Sequence, residues 1–254
     1  MSINTDIADG VLTITIARPE KRNALTLAMY QAMSEAIQLA RADATVHALL
    51  ITGQADVFTA GNDLQDFLQQ MPSGESSPVL RFMHAVLDCE KPIIAAVTGL
   101  AIGIGTTLLL HCDLVYVAED ARLGTPFVNL GLVPEFGSSL LLPRLMGYAQ
   151  AAEKLLLGDM FSGTEAVRLG LANAALPSGE VLDHARAVAR RFTTLPSAAV
   201  VASKRLLRAG LREQIDATIN AEVAVFIERL GSAETREALR AFLEKRRPTV
   251  GVGP

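Results

Sequence analysis

The run from Pro92 to Cys112 constrains the fold most, because it contains no charged side chain over the length of a membrane span. Gly99, Gly103 and Gly105 interrupt this run, however, and glycines at such close spacing favour tight turns over one continuous helix. The pattern predicts a strand, a turn and a helix that are buried inside a globular domain. We therefore expect no membrane span in this chain.

Length and composition limit the classes of protein to consider. A chain of 254 residues, half of them hydrophobic, suits one large α/β domain with a substantial core. The net charge of −4 gives no basic surface for nucleic acid. Cys89 and Cys112 form neither a zinc-type pair nor a disulfide framework, so no metal site is predicted. The first ten residues lack a basic segment followed by an apolar run, and a cytoplasmic location is therefore expected.

Hydrophobic periodicity divides the chain into two parts. Leu12, Ile14 and Ile16 alternate with threonines, which is typical of a half-buried strand within Val11–Ala17. Further strands are predicted at Ala48–Thr52, Pro92–Thr98 and Leu114–Ala118, and helices at Asn23–Asp43 and Thr106–His111. After about residue 140 only helices are predicted, at Ala149–Leu157, Gly163–Leu169, Val181–Thr193, Ala198–Ala209, Arg212–Gly231 and Thr235–Arg246. This order indicates a layered α/β core followed by an α-helical C-terminal region.

Two glycine turns follow predicted strands and precede predicted helices. The first is FTAGNDL at Phe58–Leu64, and the second is GLAIGIGTT at Gly99–Thr107. Either segment alone is compatible with an ordinary strand-to-helix turn. Together they predict two backbone N–H groups that converge on one oxygen atom, which is the arrangement of an oxyanion hole. Because the donors belong to the backbone, the side chain of Ile104 does not prevent this role.

Several motifs occur in an order that resembles the crotonase family of enoyl-CoA hydratases and isomerases. They are RPEKRNAL at Arg18–Leu25, FTAGNDL, GTPFVNLGLVPEFGSSLLLPRLMG at Gly124–Gly147 and LLLGDMFSGTEAVRLGLAN at Leu155–Asn173. The resemblance implies an α/β fold, a spiral of strand–strand–helix turns over residues 1–195 and a helical trimerisation region over 196–254. It also implies a homotrimer or a hexamer built from two trimers, and an acyl-CoA thioester whose carbonyl is bound by the amides of Ala60 and Ile104.

The same resemblance distinguishes between reactions. Hydratases of the family carry two glutamates that activate water, and these positions fall on Thr107 and Phe127 in this chain. Neither residue is an acid or a base, which argues against simple hydration. Glu135 matches the catalytic glutamate of the Δ3,Δ2-enoyl-CoA isomerases, which this chain resembles most. The sequence therefore favours an isomerase, with a hydratase or other lyase, or a catalytically silent acyl-CoA-binding protein, as alternatives.

The remaining site residues are predicted from their positions beside these motifs. Substrate-binding roles are expected for Lys21, Arg22, Ala24, Asp63, Leu64, Phe127, Asn129 and Lys245. The lysines and the arginine would meet the phosphates of coenzyme A, Lys245 from a neighbouring subunit, although solvated surface charge is an equally simple interpretation. Coenzyme A belongs to the substrate, so no separate cofactor is expected. The sequence His111-Cys112-Asp113 is interpreted as structural.

Overall fold

A six-stranded sheet forms the centre of the molecule in a computed structural model, which describes residues 2–69 and 77–249, without the side chains of 67–69. Its strands, in chain order, are β1 (Ile3–Ala8), β2 (Val11–Ile16), β3 (Ala48–Gly53), β4 (Ile93–Val97), β6 (Leu114–Ala118) and β9 (Ala174–Leu176). They lie side by side in this same order. β1 and β2 form an antiparallel hairpin, and every later neighbour is parallel.

The helices cover this sheet and explain why its central strands are apolar throughout. The helices are α1 (Leu27–Ala42), α2 (Leu64–Gln69), α3 (Pro78–Leu87), α4 (Ile104–Thr107), α5 (Ser138–Met146), α6 (Tyr148–Ala152), α7 (Gly163–Arg168), α8 (Val181–Arg191), α9 (Ser197–Ala209), α10 (Arg212–Leu230) and α11 (Ala233–Leu243). α8 packs on β3, β4 and β6, while α1 packs on α3. All five residues of β4 are buried, as expected for a parallel strand inside a covered sheet.

The uncharged run from Pro92 to Cys112 forms β4, a short strand β5 (Leu100–Ile102), α4 and a 3-10 turn (Leu108–His111). β5 belongs to a second sheet, in which it pairs parallel to β7 (Arg122–Gly124), and β7 pairs antiparallel to β8 (Phe161–Ser162). The predicted strand, turn and buried helix are therefore confirmed. Among the residues that the structure describes, no helix is long and apolar enough to cross a membrane.

The predicted strands β2, β3, β4 and β6 are confirmed to within one residue at each end. The helix predicted from Asn23 begins only at Leu27, because Arg22 and Asn23 have left-handed backbone conformations and Thr26 caps the helix through the amide of Met29. The expectation of helices alone after residue 140 is wrong, since β8 and β9 lie there. Both are too short to show a strand period in the sequence.

Asn23 connects two segments that are distant in sequence. Its side chain is fully buried, and its Nδ2 donates to the carbonyl oxygens of Gln54 at 3.0 Å and Val57 at 2.5 Å. Its Oδ1 accepts from the amide of Arg18 at 2.8 Å. Asparagine also tolerates the left-handed conformation better than most residues (φ 57°). The side chain therefore joins the RPEKRNAL motif to the loop that leads into FTAGNDL.

We predict that Asn23→Ala lowers the free energy of unfolding by about 2–4 kcal/mol, because it leaves buried carbonyl groups without donors and puts alanine in a left-handed conformation. Urea unfolding followed by circular dichroism measures the loss. Asp56→Ala is the matched control, because Asp56 also has a positive φ (54°) but is exposed. Equal losses in the two variants would contradict the role of the buried hydrogen bonds.

Candidate functional site

Backbone pairing brings the two glycine turns together. The amide of Thr59 donates to the carbonyl oxygen of Leu100 at 2.9 Å, and the amide of Ile102 donates to the carbonyl oxygen of Thr59 at 3.0 Å. Gly61 then passes so close to Ile102 that an added Cβ would lie 2.9 Å from the Ile102 carbonyl oxygen. The first turn therefore requires glycine at this position, where φ is 90°. The predicted convergence of the two turns is present in the structure.

The hydrogen bonds of the first turn correct one predicted donor. The amide of Ala60 donates to the carbonyl oxygen of Arg22 at 3.0 Å, so it is not available to an oxyanion. The amides of Gly61 and Asp63 are also occupied, by Thr59 Oγ1 and by the carbonyl oxygen of Leu25. Among the described residues, the amide of Asn62 has no acceptor. Asn62 also lines the cavity described below, which makes its amide the better candidate donor.

Tyr30 holds the side chain of Asn62. Its hydroxyl donates to Asn62 Oδ1 at 2.5 Å, and the tyrosine is almost fully buried. Burial, reinforced by the nearby charge of Glu135, raises the pKa of Tyr30 well above its ordinary value. The phenol consequently stays neutral and remains a donor at any working pH. Together with the Leu25 and Gly61 backbone bond, this contact fixes the orientation of the Asn62 peptide.

The second predicted donor, Ile104, lies where it was expected. α4 begins at this residue, after Gly103 with φ 58°. The first amides of a helix have no acceptor within the helix, and the described residues provide none for Ile104. Asn62 and Ile104 therefore supply two unpaired amides on neighbouring turns.

Both of these residues line a cavity of about 520 Å³. Most of the predicted site residues also line it, namely Lys21, Arg22, Ala24, Ala60, Asp63, Leu64, Ile104, Phe127 and Asn129. Lys245 does not, and the basic residue that this segment contributes to the cavity is Arg246. Lys245 follows the end of α11 in a left-handed conformation, one residue before Arg246. Its expected contact is with coenzyme A in a neighbouring subunit, and this stays a prediction.

Asp63 has a structural function at the mouth of this cavity. Its Oδ1 accepts from the amides of Gln65 and Asp66 and thereby caps α2, while its Oδ2 binds Arg18 Nη1 at 2.6 Å. Burial acts to raise the pKa of Asp63, but these hydrogen bonds outweigh it, and the pKa lies below its ordinary value. The carboxylate is ionised and fully engaged, so its contacts explain its position without a ligand.

Glu135 is a buried carboxyl group held by one hydroxyl group. It is 7% exposed, and its Oε1 accepts from Thr107 Oγ1 at 2.5 Å. Burial raises the pKa of Glu135 to about 8, although the Thr107 hydrogen bond lowers it and the charge of Glu222 raises it further. A general base whose pKa lies near neutral pH is well matched to proton transfer. Thr107 stands where hydratases carry a glutamate, and its hydroxyl group orients the carboxyl group of Glu135.

Neither Glu135 nor Thr107 is among the residues that line the cavity. Thr107 lies one turn after Ile104 in α4, which puts both residues on the same side of that helix. Leu132 lines the cavity three residues before Glu135. The carboxyl group therefore lies behind the inner wall, next to residues that form it.

The C-terminal helices complete the wall of the cavity, which the sequence analysis does not predict. Phe226, Leu230, Ala238, Leu239, Phe242 and Leu243 line the cavity from α10 and α11. The sequence pattern predicts an apolar face on these helices, but it does not predict that this face lines the cavity. The free amide of Asn62 is identified only from the amides that are occupied in the folded chain.

Comparisons with known proteins find relatives over nearly the whole chain. The family model described as enoyl-CoA hydratase/isomerase matches residues 6–251. A probable enoyl-CoA hydratase of Rhodobacter capsulatus is 36% identical over 97% of this chain and 96% of its own. Enoyl-CoA delta isomerase 2 of Rattus norvegicus is 34% identical over 93% of this chain and 62% of its own. The solved structure of OdaA from Pseudomonas aeruginosa has a TM-score of 0.94 at 56% identity, covering 95% of this chain and 98% of that one.

We predict that Glu135→Gln stabilises the protein increasingly from pH 4.5 to about 8. Below pH 4.5 the carboxyl group is protonated in both the folded and the unfolded chain. As the pH rises towards 8, the unfolded chain releases this proton and the folded chain keeps it, so the wild type loses about 1.4 kcal/mol per pH unit relative to the variant. Above pH 8 the difference is constant.

Urea unfolding of both proteins at about pH 5, 7 and 9 tests this linkage. Glu119→Gln is the matched control, because it makes the same chemical change at an exposed glutamate. A pH-independent difference for Glu135→Gln as well would mean that Glu135 is already ionised in the folded protein at pH 5.

Proposed function

Because this chain belongs to the enoyl-CoA hydratase/isomerase family, we propose that it is an acyl-CoA enzyme that moves a double bond from position 3 to position 2. The observation that carries this proposal is the environment of Glu135. Glu135 is a buried carboxyl group that accepts a hydrogen bond from Thr107, in the same short helix as Ile104 of the cavity wall. Neither of the two positions that hold water in hydratases carries an acid here.

The mechanism needs one base and two backbone donors. The amides of Asn62 and Ile104 bind the thioester oxygen, and this bond strengthens as the oxygen gains negative charge. Glu135 takes a proton from C2, and the electron pair of that C–H bond spreads through the dienolate towards the thioester oxygen. The resulting carboxylic acid returns the proton at C4, the C2–C3 double bond forms, and the thioester carbonyl is restored. No water is consumed.

The surroundings of Glu135 suit this single-base role. A carboxylate in water is too weak a base to remove a C2 proton efficiently, and burial makes it stronger by destabilising its charged form. The Thr107 hydroxyl fixes the direction of one oxygen at 2.5 Å. The reaction also requires a side-chain rotation, of Phe127 or Glu135, that lets C2 of the bound acyl chain meet the carboxylate.

The rest of the cavity suits the two ends of an acyl-CoA molecule. Lys21 and Arg22 lie at the cavity and are exposed, where they would bind phosphate groups of coenzyme A. Leu239, Phe242 and the other apolar side chains of α10 and α11 would contact the acyl chain. Arg246 is a further cation at this cavity, although Glu237 and Glu244 already bind its guanidinium group.

Two alternatives make different demands on the same site. A hydratase needs an acid and a base around a water molecule, and Thr107 and Phe127 provide neither. A catalytically silent acyl-CoA-binding protein has no use for a buried carboxyl group, which costs stability when it must ionise. The isomerase explains both the presence of Glu135 and the loss of the other two acids.

We also propose that the chain assembles as a trimer, or as two stacked trimers, through its C-terminal region. Leu206 and Leu207 on α9 are 78% and 82% exposed, which leaves an apolar pair uncovered in the single chain. Sedimentation velocity should give a species with three times the mass of the 27.0 kDa chain, or six times. Leu207→Glu should shift it towards the monomer, whereas Leu39→Glu on α1 should not. A monomer at all concentrations would contradict the proposal.

We predict that purified protein converts trans-3-hexenoyl-CoA into the 2-enoyl product and that Glu135→Gln lowers kcat by about 10²-fold or more, because the variant cannot accept a proton. A coupled hydratase and dehydrogenase report the product. Glu119→Gln is the control and should retain the rate of the wild type. Equal rates with Glu135→Gln would remove Glu135 from the mechanism, and hydration of 2-hexenoyl-CoA without isomerisation would establish the hydratase alternative.

A further inference from the structure

The turn that follows Glu135 has an unfavourable backbone conformation. Phe136 has φ 57° and Gly137 has φ 72°, so two consecutive residues are left-handed. A bulky side chain such as phenylalanine rarely adopts this conformation, which costs about 1–2 kcal/mol. Interactions elsewhere must therefore hold the turn in place. The position of the Glu135 carboxyl group depends on them, because it precedes the turn directly.

Glu222, on α10, binds the far side of this turn. Its Oε2 accepts from the amide of Gly137 at 2.6 Å, and its Oε1 accepts from the amide and the hydroxyl of Ser139 at 2.9 and 2.5 Å. These amides belong to the start of α5, where a negative charge is favourable. Glu222 is 7% exposed and forms no ion pair with any residue that the structure describes. A buried carboxylate without a cation is costly, and a helix cap alone does not require one.

His111 binds the near side of the same turn. Its Nε2 lies 2.7 Å from the carbonyl oxygen of Phe136, and the two rings stack with centroids 3.9 Å apart. Burial lowers the pKa of His111 to about 3, so the ring is neutral at working pH. Since a carbonyl oxygen only accepts, Nε2 carries the proton of this hydrogen bond. The backbone of the turn is thus held on one side by His111 and on the other by Glu222.

We propose that Glu222 is a positioning residue for Glu135: its carboxylate holds the left-handed turn and thereby keeps the base against Thr107 in the orientation that proton transfer needs. This inference rests on the isomerase function proposed above. It gives the C-terminal region a second role beside closing the cavity, because a side chain of α10 controls a base that belongs to the spiral core.

The charge of Glu222 also acts on Glu135 through space. The groups that face Glu135 are the Thr107 hydroxyl from α4, the Tyr30 phenol from α1 and the Glu222 carboxylate from α10. Thr107 and Tyr30 are neutral, and so is His111 beyond the turn. Glu222 is therefore the charged neighbour among them, and it raises the pKa of Glu135. Burial raises the pKa of Glu222 itself, while its three hydrogen bonds act to lower it.

Two substitutions separate the positioning role from the charge. Glu222→Gln keeps one acceptor oxygen for the amide of Gly137, and its amide group can donate to the Ser139 hydroxyl, but the negative charge is lost. We expect the rising limb of kcat/KM against pH to move about 0.5–1 unit to lower pH.

Glu222→Ala removes all three hydrogen bonds. We expect kcat for trans-3-hexenoyl-CoA to fall by about 10-fold or more, with KM changed by less than about twofold.

The full-length protein is used throughout, with Glu228→Gln as the matched control, because Glu228 is an exposed acid on the same helix. Melting temperatures are recorded for every variant. Lower melting temperatures with an unchanged pH profile and an unchanged kcat would reduce Glu222 to a helix cap and overturn the proposal. The rescue of kcat by glutamine, but not by alanine, would support it.

A titration that needs no turnover separates this inference from the proposed function. The carboxyl carbon of Glu135 is followed by 13C NMR and assigned by its absence in Glu135→Gln. If Glu222→Gln moves this titration to lower pH while the wild type isomerises no substrate, the isomerase is overturned and the coupling of the two glutamates is supported. If the wild type is active and the titration does not move, the coupling is overturned and the isomerase stands.

Discussion

The site depends on the backbone pairing between Thr59 and the strand from Leu100 to Ile102. Two hydrogen bonds join turns that are some forty residues apart in sequence, and they bring Asn62 and Ile104 to one cavity. The amides of both residues have no acceptor among the described residues. The pairing is rigid because it uses the main chain, and Gly61 permits the close approach that it requires. The proposed oxyanion hole uses backbone donors and therefore tolerates many side chains, provided that the glycines remain.

The chemistry of the site is concentrated in one carboxyl group whose environment opposes its ionisation. Burial makes Glu135 a stronger base at the expense of stability, while the Thr107 hydroxyl partly compensates for the charge and defines its direction. In the proposed isomerase, one glutamate in this environment serves where a hydratase uses two acids. In the proposed isomerase reaction this carboxyl group takes up a proton at one carbon and releases it at another, so a pKa near neutral pH serves both steps.

The C-terminal helices take part in the site rather than only following the core. α10 and α11 close the apolar side of the cavity, and Glu222 reaches from α10 to the turn beside the base. Thr235 in α11 also donates to the carbonyl oxygen of Gly131, in the loop between Phe127 and Glu135. Both helices consequently hold the loop that carries Glu135 in place. A change in their packing would therefore move this carboxyl group.

The sequence by itself determined the α/β class, the principal strands, the two glycine turns and Glu135, because these leave local signals: a period, a turn residue, or an acid in an apolar run. It could not decide which amide was free. Ala60 and Asn62 lie two residues apart in the same turn, and only the folded chain shows that the carbonyl of Arg22 occupies the former. The tertiary structure likewise decided three further features. They are the short strands β8 and β9, the absence of Lys245 from the lining of its own subunit's cavity, and the hydrogen bond between Glu222 and the amide of Gly137. Each depends on contacts between segments far apart in the chain, and no local sequence pattern predicts the free energy of such contacts.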